Sequence, residues 1–221
     1  MHIPDGFIDN GVNAATFGVS AAVCGVAAWR ARRTLGERQV PLLGVTAAFI
    51  FAAQMLNFPV AGGTSGHFLG AMLAAILLGP LNAVLIMAIV LTIQCLLFAD
   101  GGLTALGTNT FNMGIVGGLL CYWLFVGLRA ALPKSRGAFL ASAAVAAWAS
   151  VVLASAVCAF ELAISGTSPL KAALPTMVGV HTLIGIGEGL ITVAALSAVL
   201  ASRPDLIPSW TARQQLAANG A

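Results

Sequence analysis

Charge is what this sequence has least of. Only 8% of its 221 residues are Asp, Glu, Lys or Arg, against 59% that are apolar. A soluble domain carries about 25% charged residues, so a water-facing surface cannot be covered. The apolar residues come in long uncharged runs of the length a helix needs to cross hydrocarbon, and the class they define is membrane. The expected architecture is all-α: one polytopic bundle over residues 1–221, with an N-terminal segment at 1–10 and a tail at 202–221. The net charge of +3 forms no basic patch suited to nucleic acid.

Cysteine is scarce as well. Cys24, Cys95, Cys121 and Cys158 lie singly inside apolar runs, without a CxxC pair. That excludes a disulfide framework and a cysteine zinc site. A basic n-region is missing from the N-terminus, where Asp5 and Asp9 precede the first apolar run. The start therefore does not read as a signal peptide, and the mature chain is expected to begin at Met1, with bulky His2 protecting the initiator from removal.

Catalytic patterns are missing too. No histidine is followed by Glu as in HExxH, and Gly63-Thr64-Ser65-Gly66 lacks the spacing of a GxSxG elbow. An intramembrane enzyme is therefore excluded. Neither lysine, Lys134 nor Lys171, sits in a glycine-rich phosphate loop, so no ATP is bound by this chain, and active uptake requires a separate ATPase.

What is present divides into spans. Apolar runs cover about 11–29, 41–58, 64–78, 81–98, 108–129, 138–164 and 176–201. The third is expected to start near Thr64-Ser65, which can cap a helix N-terminus. Gly79-Pro80 decides the count, and charge arbitrates. With a turn there, Arg30, Arg32, Arg33, Arg38, Arg129, Lys134, Arg136, Arg203 and Arg213 share one side, with Lys171 opposite. Cytoplasmic loops carry the Lys/Arg excess, which predicts seven spans, the N-terminus outside and the C-terminus cytoplasmic. A third helix of about 13 residues reaches roughly 20 Å, short of the ~30 Å core, and is expected to be buried within protein. Small residues recur at helical spacing (Ala21 and Gly25, Gly114 and Gly118, the alanines of 141–159), which reads as close helix packing within the chain or as one stripe docking a partner.

The polar residues collect on one side. His2, His67 and His181 all fall toward the outer face in this topology, with Asp100, Asn109 and Asn112 at the same depth. Polar groups at membrane depth are costly and usually functional, and this placement favours an externally open site over a channel. The Met1 amine, the His2 backbone nitrogen and the His2 ring Nδ1 can chelate one ion through adjoining five- and six-membered rings. Ni(II), Cu(II) and Co(II) accept such nitrogen donors. His67, beyond the Gly62-Gly63-Thr64-Ser65-Gly66 run, can supply a fourth nitrogen. Taken alone His2 also reads as an idle tail residue; His67 at the same depth tips the reading to a metal site. His181 and Glu188, seven apart on one face of the last span, read either as a polar pair between helices or as groups orienting a ligand such as His67. Asn109, Asn112, Asp100 and Ser65 read as site lining, capping or packing. Met72, Met113 and Met177 read as packing. A stand-alone secondary carrier would place more ionisable residues mid-membrane than Glu188 and Glu161.

Four stretches resemble one family: MHIPDGF at 1–7, NFPVAGGTSGHFLGA at 57–71, QCLLFADGGLTALGTNTFNMG at 94–114 and HTLIGIGEGLIT at 181–192. They are similar to the CbiM/NikM family, the substrate-binding membrane (S) subunits of energy-coupling factor importers for cobalt and nickel. The resemblance implies a seven-helix subunit of the bacterial inner membrane whose N-terminus inserts into the bundle. It further implies Co(II) or Ni(II) as transported substrate, held near square-planar by the Met1 amine, the His2 amide and imidazole, and the His67 imidazole. The wording looks most like CbiM, which implies cobalt destined for cobalamin biosynthesis, with nickel the alternative. The implied partners are a CbiQ-like coupling subunit, CbiO-like ATPases and a CbiN-like accessory subunit, which this chain is expected not to contain.

Overall fold

The computed structural model describes residues 1–37 and 39–210. Arg38, Arg213 and the tail beyond residue 210, which entered the charge argument, lie outside the described residues. Helix α1 runs Asn10–Thr34 and α2 Gln39–Gln54; a two-stranded hairpin follows, β1 Phe58–Pro59 and β2 Ser65–Gly66. Next come α3 (Ala71–Leu78), α4 (Pro80–Phe98), α5 (Leu106–Thr110), a π-helical stretch Phe111–Leu120 continuing into α6 (Cys121–Ala131), α7 (Arg136–Ile164) and α8 (Leu170–Ser202). The chain is a polytopic helical membrane bundle. Among the described residues, five helical stretches are long and apolar enough to cross a bilayer: Asn10–Thr34, Pro80–Phe98, Leu106–Ala131, Arg136–Ile164 and Leu170–Ser202. Helix α2 is shorter.

Local chemistry sets the boundaries. Asp9 caps α1, its Oδ1 accepting from the Gly11 amide at 2.7 Å. Pro80 occupies the first turn of α4, where no backbone donor is needed. The expected helix start at Thr64-Ser65 is corrected: the chain there is β2, paired Pro59↔Ser65 and Phe58↔Gly66 around a tight turn, and α3 begins only at Ala71. Val60 accepts from Gly63 and donates to Thr64, both at 3.0 Å, so the glycine run is hydrogen-bonded structure and not a loose linker.

Helix α3 sits at the centre, all eight of its residues buried. Gly70, at φ +78°, turns the chain into it; a Cβ there would come within 2.7 Å of the Ile50 side chain. No side chain of its own segment caps α3. Glu188 does so from α8, its two carboxylate oxygens accepting from the Leu69 and Gly70 amides at 2.7 Å each. A carboxylate at a helix N-terminus also opposes the positive end of the dipole.

The small residues divide. Gly114 packs on Val84 and Met87 of α4, and Gly118 on Ala83 and Ala71. Gly185 and Gly189 let α8 approach Trp148 and the Ala144 carbonyl of α7. Gly25 meets nothing within 4 Å and lies on the exposed face of α1. Hydroxyls tie α1 to α5: Thr16 to Thr108, and Ser20 to the Gly107 carbonyl, both at 2.7 Å.

Candidate metal centre

Residues 1–9 precede α1 and fold back into the bundle. Met1 and Ile3 are fully buried and Ile8 nearly so, each apolar side chain contributing about 1.5–3 kcal/mol relative to exposure. Polar latches fix the path. Asn109 holds Ile3 at two points, accepting from its amide at 2.8 Å and donating to its carbonyl at 3.1 Å. The Gly102 amide donates to the same Ile3 carbonyl at 2.8 Å. Asp5 Oδ1 accepts from the Thr104 amide at 2.7 Å and its hydroxyl at 2.6 Å, which holds the Asp5 carboxyl below its ordinary range. At the far end of the segment the Thr167 hydroxyl bonds the Phe7 carbonyl.

These latches carry the chain's first atoms to β2. The Met1 amine donates to the Ser65 carbonyl and to Ser65 Oγ, the latter at 2.8 Å. The His2 amide donates to the same Oγ at 3.0 Å. Burial lowers the amine pKa from 8.0 to about 5, so at neutral pH it is an uncharged group whose two N–H donors face Ser65 and whose lone pair is unspent. The His2 and His67 rings lie 4.4 Å apart, centroid to centroid.

Hydrogen bonding fixes which nitrogens are free. His67 Nδ1 bonds the Phe68 carbonyl at 2.7 Å; a carbonyl only accepts, so Nδ1 carries the proton and Nε2 keeps a lone pair. His2 Nε2 bonds Gln94 Oε1 at 3.0 Å, which leaves its Nδ1 unprotonated by the same argument. Both remaining nitrogens, His67 Nε2 and His2 Nδ1, are buried without a hydrogen-bond partner. Nδ1 of His2 does lie 3.4 Å from Asp100 Oδ1, too long for a good hydrogen bond. Desolvation, then the nearby amine, lower the His2 pKa to about 3. A buried polar nitrogen without a partner is uncommon and calls for a ligand. Two such nitrogens beside a neutral amine and a peptide nitrogen make a donor set suited to Co(II) or Ni(II).

Among the described residues no three His, Cys, Asp or Glu side chains gather into a site, because two of the four nitrogens here belong to the main chain. The other expected residues take separate places. Glu188 does not pair with His181; it binds the backbone two and three residues past His67. His181 bonds its own helix, Nδ1 to the Met177 carbonyl at 2.7 Å, and its ring also faces the Ser65 carbonyl beside the N-terminal amine. Asn112, in the π-helical stretch, donates to Glu161 on α7 and does not reach the N-terminal segment. Gln94, Asp5 and Thr104 were not singled out from sequence. A lone Gln in an apolar run carries a signal only by its cost in hydrocarbon, and Asp5 enters the sequence reading only as a charge ahead of the first apolar run.

The chain is a multi-pass membrane protein of the transition-metal transporter fold. It aligns with a crystal structure described as a truncated transition metal transporter at TM-score 0.84 and 31% identity, covering 91% of this chain and 99% of that one. Residues 2–206 match the family profile described as CbiM, cobalt uptake substrate-specific transmembrane region. A protein of Archaeoglobus fulgidus assigned as a fused nickel transport protein NikMN is 45% identical over 98% of this chain and 71% of its own length. Cobalt transport protein CbiM 1 of Pelobacter propionicus is 35% identical over 90% of this chain and 91% of its own. The chain therefore belongs to the CbiM/NikMN family of cobalt and nickel transport membrane proteins, which are transporters and not enzymes.

Proposed function

We propose that this chain is the substrate-capturing subunit of an ATP-driven importer of the energy-coupling factor type, taking Co(II) from outside the cell. The ion is held by four nitrogens: the Met1 amine, the His2 peptide nitrogen, His2 Nδ1 and His67 Nε2. The observation that carries this reading is the pair of buried, unpartnered imidazole nitrogens on rings 4.4 Å apart, with the amine and amide pinned alongside by Ser65. Cobalt leads because the family profile is described by cobalt uptake. Nickel is the second reading, favoured by the fused nickel transport protein at 45% identity.

In the proposed mechanism the N-terminal segment is preorganised, and metal binding costs one peptide proton. The apo amine is already neutral at pH 7, its pKa lowered to about 5. Gln94 and the Phe68 carbonyl hold the two imidazoles in the tautomers that ligation requires, as supporting groups do around metal sites. Glu188 and Asn109 fix the two backbone segments that bring the donors together. Seven membrane passes, the N-terminus outside, suit this capture face; α2 and the short α3 make up the count. No phosphate-binding loop occurs in the sequence, so ATP hydrolysis falls to CbiO-like partners through a CbiQ-like coupling subunit. A CbiN-like subunit is the further partner, consistent with relatives named as fused NikMN proteins.

The test is metal bound to purified protein in detergent. Wild type is compared with His67→Ala and with a variant carrying one extra residue before Met1. Near-stoichiometric Co(II) or Ni(II) in wild type, and loss in both variants, is the expected result. Full binding by the extended variant would remove the amine from the ligand set.

A further inference from the structure

Beside the buried donors lies a cleft of about 790 Å³ between the N-terminal segment, the hairpin and the loop after α4; its lining includes His2, Asp5, Asn57 and Asp100. Asp5 and Asn57 face solvent, whereas His2 is 4% exposed. Asp100 stands between these two environments, its side chain 17% exposed. Its Oδ2 accepts from Asn57 Nδ2 at 2.7 Å. Its Oδ1 turns inward to Nδ1 of His2, 3.4 Å away, the nitrogen buried without a hydrogen-bond partner.

The backbone is bent to put the carboxylate there. Ala99, at the end of α4, has φ +53°, the one non-glycine residue with positive φ among those described. A left-handed alanine costs roughly 1–2 kcal/mol, and such outliers cluster where geometry serves a function. Gly101 follows at φ +92°, and a Cβ there would stand 3.6 Å from His2 and 3.2 Å from Asn109. The turn therefore sets Asp100 against His2, with Gly101 taking the left-handed backbone and clearing the Asn109 side chain.

We propose that Asp100 is the first protein ligand of the arriving divalent cation, holding it part-hydrated in the cleft and passing it to Nδ1 of His2. This rests on the terminal chelate proposed above and adds the step before it. The imidazole donors are buried away from solvent, so a hydrated Co(II) or Ni(II) ion must shed water in stages to reach them. A carboxylate replaces one water while the rest remain; the imidazole nitrogen then replaces another, and Asp100 lets go. The exchange consists only of ligands on the metal, with no change of redox state. Before the transfer, a negative group at the mouth of a cleft concentrates cations there.

The test is stopped-flow mixing of Co(II), and separately Ni(II), with purified apo protein in detergent, following ligand-field absorbance, with dissociation measured against excess chelator. Wild type, Asp100→Asn and Asp100→Glu are compared at low and high salt. In Asp100→Asn the association and dissociation rates are expected to fall together by about tenfold or more, at nearly unchanged Kd and full stoichiometry. Asp100→Glu, which keeps a carboxylate, is expected to recover most of the rate and its salt dependence. Unchanged association in Asp100→Asn overturns the proposal. So does faster dissociation alone, the mark of a group that merely steadies His2, and so does an Asp100→Glu variant as slow as Asp100→Asn. Wild-type protein that binds no near-stoichiometric metal would instead remove the chelate itself, an outcome distinct from unchanged rates in fully loading protein.

Discussion

His2 and His67 come from segments 65 residues apart, yet their rings meet at 4.4 Å, tilted by 33°, each with one nitrogen free of hydrogen bonds. Neither ring is held by the other. Gln94 orients the first and the Phe68 carbonyl the second, so either imidazole can be removed without disorganising its partner.

For that reason His67→Ala is expected to fold, to keep its helical content, and to lose metal affinity by more than the roughly 10–100-fold that loss of a supporting residue costs. Isothermal titration with Ni(II) and far-ultraviolet circular dichroism check the two halves. Wild-type affinity in this variant would take His67 out of the site.

Gly102→Ala tests the seating of the N-terminal segment without touching a donor. A Cβ at this position would lie 2.6 Å from both Asp5 Oδ1 and the Pro4 carbonyl carbon, a contact that backbone on both sides cannot relieve cheaply. Metal binding is expected to fall at least tenfold, as misplaced supports do, and protease cleavage of the first residues to accelerate.

Glu188 carries a prediction about stability. Glu188→Ala strands the buried Leu69 and Gly70 amides, which now bond its two oxygens at 2.7 Å. Unsatisfied buried donors cost about 1–3 kcal/mol each, so thermal unfolding in detergent is expected to reveal a loss on the order of 2–6 kcal/mol. Glu188→Gln, which keeps one acceptor oxygen, is expected to lose less.

Proton release gives a pH prediction. The amine pKa is 8.0 when solvated and about 5 in the folded apo protein. Between those values the unfolded chain binds the extra proton, so stability of the apo protein rises with pH from about 5 to 8. In the same window metal meets an already neutral amine. Binding at pH 7 is therefore expected to release about one proton, from the His2 amide, and about two below pH 5. Titration in buffers of differing ionisation enthalpy counts them; two protons at pH 7 would mean the amine is charged in the resting site.

Most helices were legible because hydrophobic run length and breakers are local signals: Gly79-Pro80 did separate α3 from α4, and Pro133-Lys134-Ser135 did precede α7, which starts at Arg136 and not at the expected 138. The ligand candidates were legible because a terminal Met-His pair is chemically self-contained. What sequence reading missed depends on separation. Glu188 looked toward His181 on its own helix, whereas its partners are amides 118 and 119 residues away. Ser65 looked like a helix cap because its hydroxyl is suited to backbone donors; the donors it meets are the Met1 amine and the His2 amide. The hairpin at Phe58–Gly66 is only two residues per strand and leaves no alternation to detect. Nor does the π-helical stretch announce itself, since it differs from α-helix by one residue per turn.

Helix α3 has no face left for lipid. At eight residues, about 12 Å long, and buried on every side, it gains nothing from the bilayer until α4, α7 and α8 surround it. Its insertion therefore belongs to the assembly of the bundle and not to the passage of each span through the membrane. A topology reporter spliced at Gly79–Pro80 would sever α3 from α4, the π-helical stretch, α7 and α8, leaving only α2 beside it, and would record the fate of an orphaned segment in place of its native side.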